Sequence, residues 1–149
     1  MALGGKVRPA IRNLVHQRAG GLCEYCHTSE RWQYVSFTVD HVVPLSKGGT
    51  NNPGNLALSC FHCNRRKADR MMAADPISGE EVSLYNPRRD EWRLHFAWSS
   101  DGLRIVGITA TGRATVLALD LNRERVINIR SADRAVGRHP PAYDPVQKT

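Results

Sequence analysis

Cys23-Glu24-Tyr25-Cys26 and Cys60-Phe61-His62-Cys63 bound the stretch of sequence that decides the fold, and they contain all four cysteines of the chain. Two cysteines separated by two residues can bind one metal ion from a single turn, and two such pairs complete the tetrahedral four-sulfur shell of structural zinc. We therefore expect one zinc ion, which closes the intervening loop, to be held by Cys23, Cys26, Cys60 and Cys63. The alternatives are two disulfides or four buried thiols.

The residues between and after the two cysteine pairs predict a hairpin that leads into a helix. A strand is expected over 34–43, where β-branched and aromatic residues alternate and Pro44 ends the run. Turn-forming residues fill 46–53, and a second short strand is expected over 55–58. Helix formers dominate from 61 to about 73, so the predicted order is strand, loop, strand, helix.

Hydrolysis of a phosphodiester needs a divalent cation beside the phosphate and a base that takes a proton from water. Three polar residues of this unit could supply the cation ligands and the base. Asp40 offers a hard oxygen ligand suited to magnesium or manganese, and His41 has the pKa range of a general base. Neighbours on an ideal strand point to opposite faces, so both can reach one site only where the strand ends or bulges. Asn64, directly after Cys63, could supply a second, neutral metal ligand.

Each of these residues also has a purely structural interpretation. His41 could be a strand histidine with a backbone partner, Asp40 could cap a turn, and Asn64 could cap the helix. Asn55 could simply hold the loop together.

The order of these segments resembles the HNH endonuclease family, whose fold is the ββα-metal or His-Me finger. The segments are the two cysteine pairs, Asp40-His41-Val42-Val43-Pro44-Leu45, Gly48-Gly49, Asn55-Leu56 and the stretch from Asn64 to Lys67. The resemblance implies that His41 is the general base and that Asp40 and Asn64 hold a single catalytic divalent ion. It implies that Asn55 braces the loop and orients the base. Asn64 occupies the position of the last letter of the family name, which stands for histidine. Cleavage in such enzymes leaves a 3′-hydroxyl and a 5′-phosphate.

A cluster of basic residues follows the last cysteine and is expected to contact nucleic-acid phosphates, with a solvated helix face as the alternative. Its members are Arg65, Arg66, Lys67 and Arg70. Lys67 matches a family position and is therefore the strongest candidate among them.

The flanking sequence predicts a helix before the motif and a hairpin with two helices after it. Pro9 and Gly20-Gly21 bound a helix over 8–19. Residues 75–91 appear irregular, and apolar alternation predicts a hairpin from 92–98 and 103–108. Helices are expected over 111–121 and 122–135, capped by Thr111 and Asn122. The region over 86–122 is similar to the tail of small bacterial HNH proteins.

Length and charge agree with a nucleic-acid partner. The 149 residues suffice for one domain with a small appendage, and 21 lysines and arginines against 14 acidic residues give a net charge of +7. Such a balance favours an anionic partner, although a solvated basic surface would give the same charge. The sequence has neither a secretory leader nor an apolar run of membrane length, so we expect a cytoplasmic protein, in which disulfides are disfavoured.

The sequence therefore predicts an α+β fold: a zinc-stapled ββα-metal core with an N-terminal helix and a C-terminal β-hairpin plus helices. The expected divisions are a nuclease core at 1–75, an extension at 76–136 and a disordered tail at 137–149. The expected function is cleavage of DNA, most readily double-stranded, with structural Zn²⁺ and catalytic Mg²⁺ or Mn²⁺. The alternatives are a non-catalytic nucleic-acid-binding module of the same fold and a zinc-dependent assembly protein.

Overall fold

The computed structural model describes residues 7–142, which form a mixed α+β fold with three two-stranded antiparallel sheets. The predicted α+β class is confirmed. The helices are α1 (Pro9–Arg18), α2 (Phe61–Lys67), α3 (Trp92–His95), α4 (Ala110–Ala118) and α5 (Glu124–Ala135). The strands are β1 (Thr38–His41), β2 (Leu56–Ser59), β3 (Met72–Ala74), β4 (Glu81–Ser83), β5 (Phe96–Trp98) and β6 (Ile105–Gly107).

Helix α1 forms where the sequence predicts it. Proline at its first turn lacks only an N–H that would be unpaired there, and Gly20 and Gly21 take positive φ angles that end the helix. Val15 is fully buried against the rest of the core. Arg18 donates to the carbonyl oxygens of Pro53 and Leu56 at 3.0 and 2.7 Å, so this helix is fastened to the start of β2.

The β1–β2 hairpin is shorter than predicted on its first strand. Asp40 pairs with Ala57 and His41 with Leu56. The expected strand over 34–43 begins only at Thr38, because β2 offers four residues between the 3₁₀ turn at Pro53–Asn55 and Cys60. The residues before Thr38 have no strand partner there, and Tyr34 is fully exposed.

Helix α2 also ends earlier than predicted. Ala68 adopts φ 49° and ψ −125°, and the Arg70 N–H donates to the Lys67 carbonyl at 2.9 Å, which closes a reverse turn of type II′. The chain then forms β3, which pairs with β4 so that Met72 faces Ser83. The prediction of irregular structure over 75–91 is therefore wrong at β4.

The C-terminal hairpin and helices are present, with different boundaries. The predicted strand at 92–98 starts as α3 and becomes β5, which pairs with β6. Thr109, rather than Thr111, caps α4 by accepting the Gly112 N–H at 3.0 Å. Asn122 caps no helix; its amide bonds both backbone groups of Ile105 in β6, at 2.7 and 2.8 Å.

One hydrophobic cluster joins both halves of the chain, including Val15, Leu58, Trp92 and Leu121. Polar contacts cross between the halves as well: Glu24 is paired with Arg88, and the Trp92 indole donates to the Tyr25 carbonyl at 3.1 Å. The division near residue 75 remains a prediction.

Residues 137–142 belong to the predicted tail and make defined contacts. The Arg138 guanidinium lies 3.7 Å from the centre of the Trp32 ring, and His139 Nε2 contacts the Gly102 carbonyl at 2.6 Å. The remaining residues of that prediction, 143–149, lie outside the described part of the chain. Among residues 7–142, the helices are too short or too polar to cross a bilayer.

Candidate metal and nucleic-acid site

The four cysteine sulfurs converge on one point. All four residues are buried and none forms a disulfide, and their sulfur atoms lie within 4.8 Å of one another. Zinc bound tetrahedrally at about 2.3 Å would separate its sulfurs by roughly 3.8 Å. The Sγ atoms of Cys26 and Cys60 are 3.7 Å apart. The donor set and its spacing therefore fit a structural zinc site.

Local backbone structure prepares each cysteine pair for a metal. The first pair lies on a turn in which the His27 N–H donates to the Cys23 carbonyl at 2.9 Å. The second pair begins α2, where Cys60 is the N-cap and its sulfur accepts the Cys63 N–H at 3.4 Å. Burial raises the pKa of the Cys23 thiol, so a bound cation is what would favour its thiolate.

The three residues predicted for chemistry line one cavity. Asp40, His41 and Asn64 share a cavity of about 320 Å³ next to Pro44 and Ala68. The two sequence neighbours can both reach it because His41 is the last residue of β1, where the alternation of the strand stops. The cavity is open toward solvent on the surface formed by β1 and α2.

The Asp40 carboxylate is buried, with only 4% of the residue exposed. Its Oδ2 atom accepts a hydrogen bond from the Tyr25 hydroxyl at 2.7 Å and lies 3.3 Å from the Lys67 ammonium. Within residues 7–142, no hydrogen bond is found to Oδ1. Burial raises the pKa of this carboxyl, and the Lys67 and Tyr25 contacts oppose that shift.

Lys67 does not have the predicted role of a surface phosphate contact. Only 2% of the residue is exposed, and its Nζ atom donates to the His41 carbonyl at 3.1 Å besides pairing with Asp40. A buried ammonium with two protein partners cannot reach a phosphate outside the molecule. We therefore correct its role to a contact that holds Asp40 and the backbone of His41.

The imidazole of His41 is held by Asn51, a residue that no sequence motif singles out. His41 Nε2 lies 2.6 Å from the Asn51 side-chain oxygen. A carboxamide oxygen only accepts hydrogen bonds, so the contact favours the tautomer with its proton on Nε2 and leaves Nδ1 as a proton acceptor. Asn51 lies within the run of turn formers at 46–53, where asparagine has an ordinary structural explanation.

Asn55 ties the loop after β1 to the end of that strand. Its Oδ1 accepts the Val43 N–H at 2.9 Å, and its Nδ2 donates to the carbonyls of Val43 and Thr50 at 3.0 and 2.9 Å. Gly49 packs on the same carbonyl so closely that a Cβ atom there would lie 1.8 Å from the Val43 oxygen. These contacts fit the bracing role that the resemblance implies for Asn55.

Asn64 lies in the first turn of α2 and is half-buried at the cavity. No hydrogen bond to its side chain is found in the described part of the chain. Within residues 7–142, no hydrogen bond is thus found to Asp40 Oδ1 or to the Asn64 carboxamide oxygen, and both residues line one cavity. Oxygens of these two kinds are ligands that Mg²⁺ and Mn²⁺ accept.

The other basic residues of the α2 region differ in their surroundings. Arg65 and Arg66 are exposed directly after Asn64. Arg70 is exposed but donates to the Ala118 carbonyl at the end of α4, at 3.0 Å. Arg65 and Arg66 are therefore the exposed members of the predicted set for which no hydrogen bond is found within residues 7–142.

The comparison with known proteins agrees with this site. A search of curated proteins finds no match to the chain. Residues 23–70 match the family model described as HNH endonuclease. The matched segment contains both cysteine pairs, the β1–β2 hairpin, α2 and every residue that lines the cavity. The resemblance seen in the sequence is thereby confirmed over residues 23–70, the segment that matches the HNH endonuclease family.

Proposed function

We propose that this protein is a metal-dependent endonuclease that hydrolyses phosphodiester bonds in DNA. The observation that carries the proposal is the shared cavity of Asp40, His41 and Asn64, since Asp40 and Asn64 each keep an oxygen to which no hydrogen bond is found within residues 7–142. The HNH domain supports a nuclease-type function.

His41 acts as the general base. Its Nδ1 atom accepts a proton from a water molecule while the water oxygen forms a bond to phosphorus and the bond from phosphorus to the 3′ oxygen breaks. That oxygen takes up a proton to become a 3′-hydroxyl, and the phosphate stays on the 5′ side. Asn51 keeps the imidazole in the required tautomer through its 2.6 Å contact with Nε2.

Asp40 and Asn64 would hold the divalent cation, Mg²⁺ or Mn²⁺, through Oδ1 and the carboxamide oxygen. When bound, the cation supplies positive charge that offsets the charge developing on the phosphate and the leaving oxygen. Asn55 and Gly49 keep the loop in place, so that the Asn51 side chain stays in contact with the His41 imidazole.

The substrate contact extends to the exposed last turn of α2. Arg65 and Arg66 follow the metal ligand Asn64 directly and are two exposed cations in a chain with net charge +7. Double-stranded DNA is the substrate that we propose, with its phosphates paired to these arginines.

A plasmid-nicking assay tests the proposal. The zinc-loaded protein should convert supercoiled DNA to nicked or linear DNA when Mg²⁺ or Mn²⁺ is present, and His41→Ala should reduce the rate by at least about a hundredfold, as expected on removal of a general base. His16→Ala is the matched control, because it removes another half-buried imidazole with one side-chain partner, Glu30. It should cleave normally.

The alternative functions predict other outcomes in the same assay. Tight DNA binding without cleavage under any divalent cation would indicate a non-catalytic binding module. Equal cleavage by His41→Ala and the parent would contradict the assigned base. Replacing Arg65 and Arg66 together by alanine should weaken DNA binding and make it less dependent on salt, by about one unit in the log–log slope for each lost contact.

A further inference from the structure

We propose that Tyr25 and Lys67 are positioning residues that together occupy one oxygen of Asp40 and reserve the other for the catalytic cation, so that the zinc site and the cation site are coupled. The inference rests on the proposed function, because it assigns Asp40 the role of a cation ligand. It adds a role for the zinc site beyond closing the fold.

Both contacts are made to the same atom of Asp40. The Tyr25 hydroxyl donates to Oδ2 at 2.7 Å and the Lys67 ammonium lies 3.3 Å from it, while no hydrogen bond to Oδ1 is found among the described residues. The terminal torsion of an aspartate has a broad energy profile, so a carboxylate without partners would sample many orientations. Two donors on one oxygen fix that torsion and leave the second oxygen in a defined place.

Tyr25 belongs to the first cysteine pair. It lies between the zinc ligands Cys23 and Cys26, and its ring is almost completely buried. The Trp92 indole donates to its carbonyl at 3.1 Å, and the Tyr85 ring packs edge-on with centroids 6.4 Å apart. The hydroxyl therefore has little freedom to move away from Asp40 while the cysteines on either side are held.

Lys67 belongs to the helix that starts at the second cysteine pair. It follows Cys63 by four residues and so lies on the same face of α2, one turn further along. Its ammonium contacts both Asp40 Oδ2 and the His41 carbonyl, at 3.3 and 3.1 Å. One ion bound by all four cysteines would thus fix both the first cysteine turn, which carries Tyr25, and helix α2, which carries Lys67.

This convergence predicts that cation affinity in the cavity depends on Tyr25 and Lys67. Removing a partner of a metal-ligating carboxylate typically weakens metal binding by about 10 to 100-fold. We expect Tyr25→Phe to weaken Mn²⁺ binding at least about tenfold. The cleavage rate at saturating Mn²⁺ should change much less than the Mn²⁺ concentration that gives half of that rate.

The test measures Mn²⁺ binding to the full zinc-loaded chain by electron paramagnetic resonance, without DNA. Tyr25→Phe is compared with the parent, with Asp40→Asn as the reference for a lost ligand. Tyr85→Phe is the matched control, because it removes the hydroxyl of the neighbouring buried tyrosine. Zinc content and thermal unfolding of each variant are measured in the same preparations. The control should bind Mn²⁺ like the parent.

Each outcome decides the proposal. Weaker Mn²⁺ binding by Tyr25→Phe, with zinc and melting temperature retained, supports it. Mn²⁺ affinity equal to the parent in folded Tyr25→Phe would overturn it and leave the proposed function standing. Loss of zinc from Tyr25→Phe would also overturn it, since the hydroxyl would then act on the zinc site. A parent that binds Mn²⁺ no more tightly than Asp40→Asn would contradict both proposals.

Discussion

Asp75 shows how a single buried charge is stabilised away from the cysteine cluster and the Asp40 cavity. Its side chain accepts two hydrogen bonds of 2.9 Å from the Arg113 guanidinium and further bonds from Ser78 and the Ile77 N–H. The Arg113 contacts hold the pKa of the Asp75 carboxyl below its usual value. Since the folded pKa is depressed, this contribution to stability is fully present above the unfolded value of about 3.9 and is lost only as the pH falls through the lower folded value.

Replacing Arg113 by methionine should therefore lower the melting temperature at about pH 7, because the buried carboxylate loses its cation. This decrease in melting temperature should be smaller at about pH 5, since Asp75 of the variant can then take up a proton while the parent carboxylate stays ionised. Thermal unfolding at both pH values, with zinc present, checks this. Arg125→Met, on an exposed position of α5, is the control. A difference from the parent that is the same at both pH values would count against the argument.

The sequence identified the residues whose chemistry is visible in a local pattern. Asp40, His41 and Asn64 stand at motif spacings and line one cavity. The sequence predicts Lys67 at the surface because a basic run on a helix does not reveal which member points inward. It does not single out Asn51, because asparagine is common in turns and the contact with His41 depends on how the loop folds back.

At the scale of elements, the loop between β1 and β2 depends on one close backbone approach. Gly49 packs against the Val43 carbonyl, and its N–H donates to the Pro44 carbonyl at 2.9 Å. Asn55 bonds the same Val43 carbonyl from the other end of the loop. The loop that carries Asn51 is thus shaped by a position where only glycine fits.

Gly49→Ala should destabilise the fold by at least about 2 kcal/mol, since the added methyl group would overlap a backbone oxygen that is itself hydrogen-bonded. It should also lower cleavage by displacing Asn51. Gly54→Ala, five residues away in the same loop, is the matched control because no atom of residues 7–142, apart from its chain neighbours, lies within 4 Å of the added methyl group. Denaturant unfolding of both variants measures the difference, and equal stability would show that the loop relaxes freely.

The types of the main elements were predictable, and their ends were less so. Helix α1 agrees with its proline and glycine signals. The predicted helix at 61–73 is longer than α2 because Ala68 gives no turn signal, although it adopts a conformation that favours glycine. The predicted strand at 34–43 is longer than β1 because the length of β1 is set by its partner, β2, and not by its own composition.

At the scale of the whole molecule, the cysteine cluster connects the start, the hairpin and α2 of the HNH domain. Cys23 and Cys26 follow α1, and Cys60 and Cys63 begin α2. The hydrophobic cluster that includes these cysteines continues into α4 and β5. A change at the zinc site should therefore lower the stability of the whole described chain rather than that of one loop.

Metal analysis should find about one zinc ion per chain that resists mild chelation. Strong chelation, or Cys60→Ser, should abolish cooperative unfolding and near-ultraviolet circular dichroism, because four buried thiols would lose the ion that holds them together. Adding Zn²⁺ back should restore both signals for the parent and not for the variant. A Cys60→Ser protein with the melting temperature of the parent would contradict the structural role of zinc.

The pairing of Glu24 with Arg88 limits how the HNH segment can be moved between proteins. Glu24 is buried between two cysteines of the cluster and also accepts the Leu58 N–H at 2.8 Å, whereas Arg88 lies well beyond residue 70, the last position of the family match. A fragment that ends at residue 70 would contain the buried Glu24 carboxylate without the Arg88 guanidinium that pairs with it. A transferable fragment of this chain must therefore extend through Arg88, which gives the residues after the HNH match a structural role.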